Sequence, residues 1–213
     1  MSYTELDWIR RHYERSDLSE FLVHLTRPNK ENSKASDTLY KIVKDKQLKG
    51  STTETGFICG DIPAVCFQNA PLHAIGQAIY SEILKSERDH SENRQPKIRY
   101  HGTGLAFRKE TLYKKGARPV IYERTDIAKE ILPKNEYWRI VNLDIADNSN
   151  IIDWTHEREW RIKNNYQFDY IDTTLVFETT GEFTNFLKLA RNDGRDDFIA
   201  QFAGIVVLDK GVL

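Results

Sequence analysis

Little in this chain assigns it quickly. It has two cysteines, Cys59 and Cys66, seven positions apart, which form neither a disulfide framework nor a metal-ligand spacing. Both read as core or near-core thiols. No apolar run approaches the roughly 20 residues that a membrane-crossing helix needs. The opening M-S-Y-T-E-L-D-W-I-R-R is too charged for a secretory signal, so the expectation is a soluble, cytoplasmic protein with no membrane partner. Net charge is nearly absent: 31 basic against 32 acidic side chains give −1. That removes any global attraction to nucleic acid or anionic membrane and leaves only a local basic groove open. No glycine-rich phosphate loop is found, which counts against a kinase or a dehydrogenase. Repeats, low-complexity tracts and linkers are missing too.

What is present suits one generous domain. The 213 residues are 39% hydrophobic and 30% charged, with ten Phe, ten Tyr and four Trp to fill a core. Periodicity predicts an amphipathic helix over Tyr3–Arg15 and a buried strand over Phe21–Thr26, stopped by Arg27-Pro28. A helix capped by Ser36 or Asp37 follows, then a strand at Ala64–Phe67 and a helix from Pro71 through Leu84. The charged stretch Ser86–Lys97 lacks periodicity and predicts a loop. Strands are expected at Arg99–Phe107, Pro119–Tyr122, Tyr137–Leu143, Arg158–Ile162, Thr174–Phe177 and Ile205–Leu208. Helices are expected at Asp126–Leu132 and Phe183–Ala190. Many short strands with helices grouped early and late predict an α+β domain over residues 1–213, its first 20 residues a helical extension.

The segment Asp153–Ile162, D-W-T-H-E-R-E-W-R-I, carries the most chemistry. Read as a strand, it turns Glu157, Glu159 and Arg161 to one face, and Trp160 and Ile162 to the core. Two carboxylates on one face repel unless a cation, a hydroxyl-rich ligand or an arginine compensates them. The plain alternative is a surface strand whose Glu159 pairs with Arg158 or Arg161. A second feature is His24 in the first strand, sharing a face with Thr26 and followed by a loop and a helix. That layout suits a ribose or planar amide, His24 donating to a hydroxyl and Thr26 adding a bond; a core histidine is the alternative.

The order of H-L-T, V-C-F-Q-N-A-P-L (Val65–Leu72), Y-H-G-T-G-L-A-F (Tyr100–Phe107), R-P-V-I-Y (Arg118–Tyr122) and E-R-E-W-R (Glu157–Arg161) resembles the ADP-ribosyltransferase superfamily. Bacterial DarT-like toxins and AbiGi-like phage-resistance proteins look nearest. The short motifs span most of residues 21–162. The resemblance implies a split β-sheet core and NAD as substrate, gripped by His24 with Thr26, Arg27 and Tyr100 in support. It implies Glu159 as the carboxylate that stabilises charge building on the ribose, and Glu157 as the group orienting or deprotonating the acceptor. A toxin or phage-defence effector is implied, with a macromolecular acceptor and, as a candidate partner, a cognate antitoxin. His101 in H-G-T is the rival for the nucleotide grip.

Basic residues from Arg94 to Arg118, interleaved with Tyr100, Phe107 and Tyr113, form a candidate track for a single nucleic-acid strand, although a charge run is usually a solvated face. Two further readings stand beside the transferase. One is a Mg²⁺-dependent nuclease using Asp153, Glu157 and Glu159, which lacks the usual lysine at a matching position. The other is an antitoxin-type or ligand-binding protein on the same scaffold without turnover.

Overall fold

A computed structural model describes residues 2–28, 34–56, 58–92, 101–195 and 197–209. In chain order the elements are α1 (Glu5–Glu14), β1 (Phe21–Thr26), α2 (Ala35–Asp45), β2 (Gln47–Leu48), β3 (Ala64–Gln68), α3 (Leu72–Ser91), β4 (Thr103–Arg108), α4 (Lys109–Lys114) and β5 (Arg118–Pro119). They continue with β6 (Ile121–Glu123), α5 (Thr125–Ile131), β7 (Ile140–Asn142), β8 (Glu159–Lys163), β9 (Tyr166–Gln167), β10 (Thr173–Phe177), α6 (Thr180–Asn192) and β11 (Gly204–Val207).

Seven strands form one sheet in the order β11-β10-β4-β1-β3-β8-β5. Only the β10–β11 pair in it is parallel, so the fold is a mixed α/β single domain and not a doubly wound parallel sheet. Apolar residues alternate along each strand, and each face is covered. Leu22, Phe67, Leu105, Phe107, Leu175 and Phe177 pack beneath α2 and α6 through Leu39, Val43, Phe186 and Ala190. Val23, Ala106 and Val176 meet Ile75 and Ile79 of α3 on the opposite face. A smaller core gathers Ile58, Ala64 and Trp138.

The sheet is not evenly joined. β1 and β4 are in register along all six residues of β1, from Phe21 with Arg108 to Thr26 with Thr103, and β3 and β8 along five. Between β1 and β3 the ladder is one pair, Val23 with Gln68. Beyond it the His24 ring takes over, its Nδ1 bonded to the Cys66 carbonyl oxygen at 2.8 Å. A side chain thus closes the seam that a backbone ladder would otherwise close.

Several expectations need correcting. Ser86–Ser91 is the end of α3 and not loop; residues 93–100 lie outside the described residues. Pro119–Tyr122 divides into β5 and β6, which join different sheets. Tyr137–Arg139 is 3-10 helix before β7 begins. Of Leu6, Ile9 and Tyr13, the apolar residues at helical spacing in α1, only Ile9 is half-buried; Leu6 and Tyr13 are 64% and 79% exposed. Trp8 and His12 pack beside Ile9, with the Lys109 ammonium 3.4 Å from His12 Nε2 and donating to the Ser19 carbonyl.

Candidate active site

Glu157 and Glu159 are not successive same-face residues of one strand. Thr155–Glu157 is a 3-10 turn, and Arg158 has left-handed backbone, φ 46° and ψ 48°, so β8 starts at Glu159. A non-glycine residue held there is uncommon, and three bonds account for it. Arg158 N donates to the Thr155 carbonyl, Asn69 N donates to the Arg158 carbonyl, and the guanidinium donates to the Asp17 carbonyl. The bend swings Glu157 over the end of β3, where its Oε2 accepts from Gln68 Nε2 at 2.7 Å. Gln68 is itself the register partner of Glu159. The two carboxylates therefore approach the same place, one from the turn and one from the strand.

Glu159 sits in a nearly dry setting. Its Oε1 accepts from Arg161 Nε at 2.7 Å, the two side chains being 17% and 4% exposed. Arg161 Nη1 donates to the carbonyls of Trp138 and Ile140, which fixes the guanidinium and, through it, Glu159. Burial is the largest single influence on the Arg161 charge and opposes it, but Glu159 and Cys66 together leave its pKa raised. The Cys66 thiol, register partner of Arg161, is pushed up by burial and by the nearby Glu159, so it stays a thiol at neutral pH. The Tyr122 hydroxyl accepts from Glu159 N at 2.8 Å. Burial raises the pKa of this phenol, and the charges of Glu159 and Glu157 add to the rise. Trp154 is 37% exposed and tilts against His156, whose Nε2 lies 3.5 Å from Glu157 Oε1. Trp160 and Ile162 turn into the large core as expected.

His24 is half-buried, edge-on to Phe67. Strand register sets it on the face of Leu22 and Thr26, whereas Glu159 shares the face of Val23. The two are linked through Cys66, whose carbonyl accepts a hydrogen bond from the His24 ring and whose side chain neighbours Glu159. Thr26 is buried, its hydroxyl within bonding reach of the Thr103 and Ala35 carbonyls. The Arg27 side chain is exposed, and its carbonyl accepts from Thr38. Tyr100 lies outside the described residues, as do Arg94, Lys97 and Arg99. His101 stands two strands further from β8 than β3 does, at the head of β4 beside Glu178, at 3.8 Å.

The described part of the basic track is largely engaged. Arg108 pairs with Glu20 and Lys114 with Glu110, Arg118 stacks on Tyr113 at 4.1 Å, and Lys109 is half-buried under α1. Asp153 closes a turn onto Thr155. Among the described residues no three His, Cys, Asp or Glu side chains are grouped to hold a metal ion, so the nuclease triad is not assembled. No helix among them is long and apolar enough to cross a membrane.

The Glu159–Arg161 pair, the plain alternative in the sequence, is present, though buried and not on the surface; sequence reasoning missed Gln68, Tyr122 and the bend at Arg158. Q-N following a buried strand was a signal for the first; nothing in the sequence around Arg158 announces a left-handed residue. Comparison with family models, with curated proteins and with solved structures finds no match for this chain.

Proposed function

We propose that the protein is an ADP-ribosyltransferase-like effector that cleaves the nicotinamide–ribose bond of NAD and passes ADP-ribose to a macromolecular acceptor. The observation that carries the reading is that Glu157 bonds to Gln68, the register partner of Glu159, next to the single-pair ladder between β1 and β3. In this reading Glu159, oriented by Arg161, accepts a hydrogen bond from the ribose 2-hydroxyl as positive charge builds on the sugar. Nicotinamide leaves with the electron pair of the broken C–N bond. The acceptor's nucleophile bonds to the same carbon, and Glu157 takes its proton. His24 grips a hydroxyl of the nucleotide from across the seam, with Arg27, just past the end of the same strand, in support. The reading requires NAD to lie across the seam, because within an unbroken sheet His24 and Glu159 would face apart. A role as toxin or phage-defence protein with a cognate antitoxin belongs to the same proposal.

A second reading, a ligand- or partner-binding domain without turnover, is favoured by one observation. Both carboxylates are already satisfied within the chain, Glu159 by Arg161 and Glu157 by Gln68.

Incubation of the purified protein with NAD, followed by measurement of released nicotinamide, separates the two. The transferase reading expects release that falls at least about a hundredfold in Glu159→Gln, a substitution that keeps an acceptor for Arg161. Equal release from Glu159→Gln removes Glu159 from the mechanism. NAD that binds without release supports the second reading.

A further inference from the structure

β11 ends the large sheet on the side opposite β5, and among the described residues no strand pairs with its outer side. The two ends are finished differently. β5 is two residues long and contains Pro119, which has no amide to offer. β11 is Gly204-Ile205-Val206-Val207, with neither charge nor proline, and Ile205 is 40% exposed. Leu208 N donates inward to the Phe177 carbonyl, so strand alternation turns the amides and carbonyls of Ile205 and Val207 outward. Beside this edge a groove of about 180 Å³ lies between α3 and β11, walled by Ile79, Ile83, Val206 and Leu208. Gly76 lines it too. A glycine inside a long helix is unfavourable, and a Cβ on Gly76 would meet nothing within 4 Å, so packing within the chain does not call for it. What its bare backbone provides is room in the groove. The charged lining is two carboxylates, Glu178 and Asp209, with no lysine or arginine and only the His73 imidazole besides. Glu178 Oε2 accepts from Gly102 N at 2.8 Å and lies 3.8 Å from the His101 ring, while among the described residues Oε1 has no partner.

We infer that β11 and this groove take an extended segment of a partner protein, which adds to the sheet at its open edge. Outward amides with an apolar trough beside them are the two things such a segment uses. Main-chain bonds hold it, and the trough receives its alternate side chains. Charge complementarity fixes the chemistry further. The segment carries apolar residues at alternate positions and a lysine or arginine that reaches Glu178 Oε1. A second copy of this chain is the poorer fit, because its own edge, Gly204 to Asp209, brings no basic residue to the carboxylates. The surface is on the far side of the sheet from β8 and Glu159, and its occupancy requires neither NAD nor turnover.

The test is fluorescence anisotropy of the full chain with a labelled eight-residue peptide of alternating valine and threonine, a lysine at each end. The same peptide with a glutamate at each end is the comparison. The lysine peptide is expected to bind, at least about tenfold more tightly than the glutamate peptide. Gly76→Leu, which fills the groove, is expected to weaken binding at least about tenfold. It should melt at or above the temperature of the unmodified chain, because leucine is the better helix former. Ile205→Pro removes one outward amide without touching the inward ladder and should bring a similar loss. Glu178→Gln should narrow the preference for lysine over glutamate. Failure of the lysine peptide to bind, or binding unchanged by Gly76→Leu, overturns the inference. Equal binding of the two peptides overturns the assigned chemistry. Sedimentation that finds a dimer separated by Ile205→Pro gives the edge to a second copy instead. None of these outcomes depends on nicotinamide release, so the edge and the transferase reading fail separately.

Discussion

The carbonyl of Cys66 can only accept, so the 2.8 Å contact with His24 places a proton on Nδ1 and leaves Nε2 with a lone pair in the neutral ring. This reverses the role expected from the sequence: His24 would accept a bond from a sugar hydroxyl and not donate one. Burial lowers its pKa, against the opposing effect of the Cys66 carbonyl, and so keeps the ring in that neutral form. The unfolded chain takes up a proton near the ordinary value of about 6.5, whereas the folded chain resists until lower pH. The stability contributed by His24 is therefore complete above about pH 6.5 and is lost as pH falls toward the folded value. Nitrogen-detected NMR should find the His24 ring neutral, with its proton on Nδ1, at pH values where exposed histidines have already titrated. A midpoint at or above the ordinary value would contradict the assignment.

Helices and strands were legible in the sequence wherever their apolar periodicity was strong. Phe21–Thr26 was read with its observed limits because it is apolar and ends at Arg27-Pro28. The end of α3 was missed because Ser86–Ser91 carries no apolar stripe. Helix continues there by propagation, with no Gly or Pro to stop it before Pro96. The carboxylate pair was legible as residues but not as geometry, since the decisive bend falls at an arginine held by distant partners. Contacts between elements escape periodicity altogether, as the α2–α6 clamp illustrates. Asp193, just past α6, accepts from Lys44 at 2.7 Å and from Tyr40 at 2.9 Å, residues about 150 positions away. Its carboxylate is held below the usual range by Lys44 first and Tyr40 second, while burial and Asp193 push the Tyr40 phenol up to about 12. A depressed carboxylate stabilises the fold above its unfolded pKa of about 3.9 and ceases to as pH falls through the folded value. Melting temperatures taken from pH 6 down to pH 3 should therefore fall more steeply for the unmodified chain than for Asp193→Asn, the two curves converging at the acid end.

Across the whole molecule, the sheet behaves as two panels. One is β11-β10-β4-β1, laddered throughout; the other is β3-β8-β5, which carries Glu159 and Arg161. Gly104 sets the tightness of the first. A Cβ there would lie 2.0 Å from the His24 carbonyl oxygen and 2.9 Å from Leu25 Cα, backbone atoms that cannot rotate aside. Gly104→Ala should lower the free energy of unfolding by at least about 1–3 kcal/mol in urea titration. It should also shift the His24 resonances, because β1 must move away from β4. An unchanged denaturation midpoint would mean that the panels are looser than the register indicates.

The weak joint between the panels has a consequence of its own. Where strands are laddered, a molecule entering between them must break paired amides, each costly to leave unpaired away from water. Past Val23 and Gln68 there is little ladder to break: the His24 imidazole on the Cys66 carbonyl ties one side of that pair, and the Asn69 amide on the Ser19 and Phe21 carbonyls the other. The seam is therefore the direction in which this otherwise two-sided, well-packed sheet yields most cheaply. The latch across it is a side chain whose charge state responds to acid.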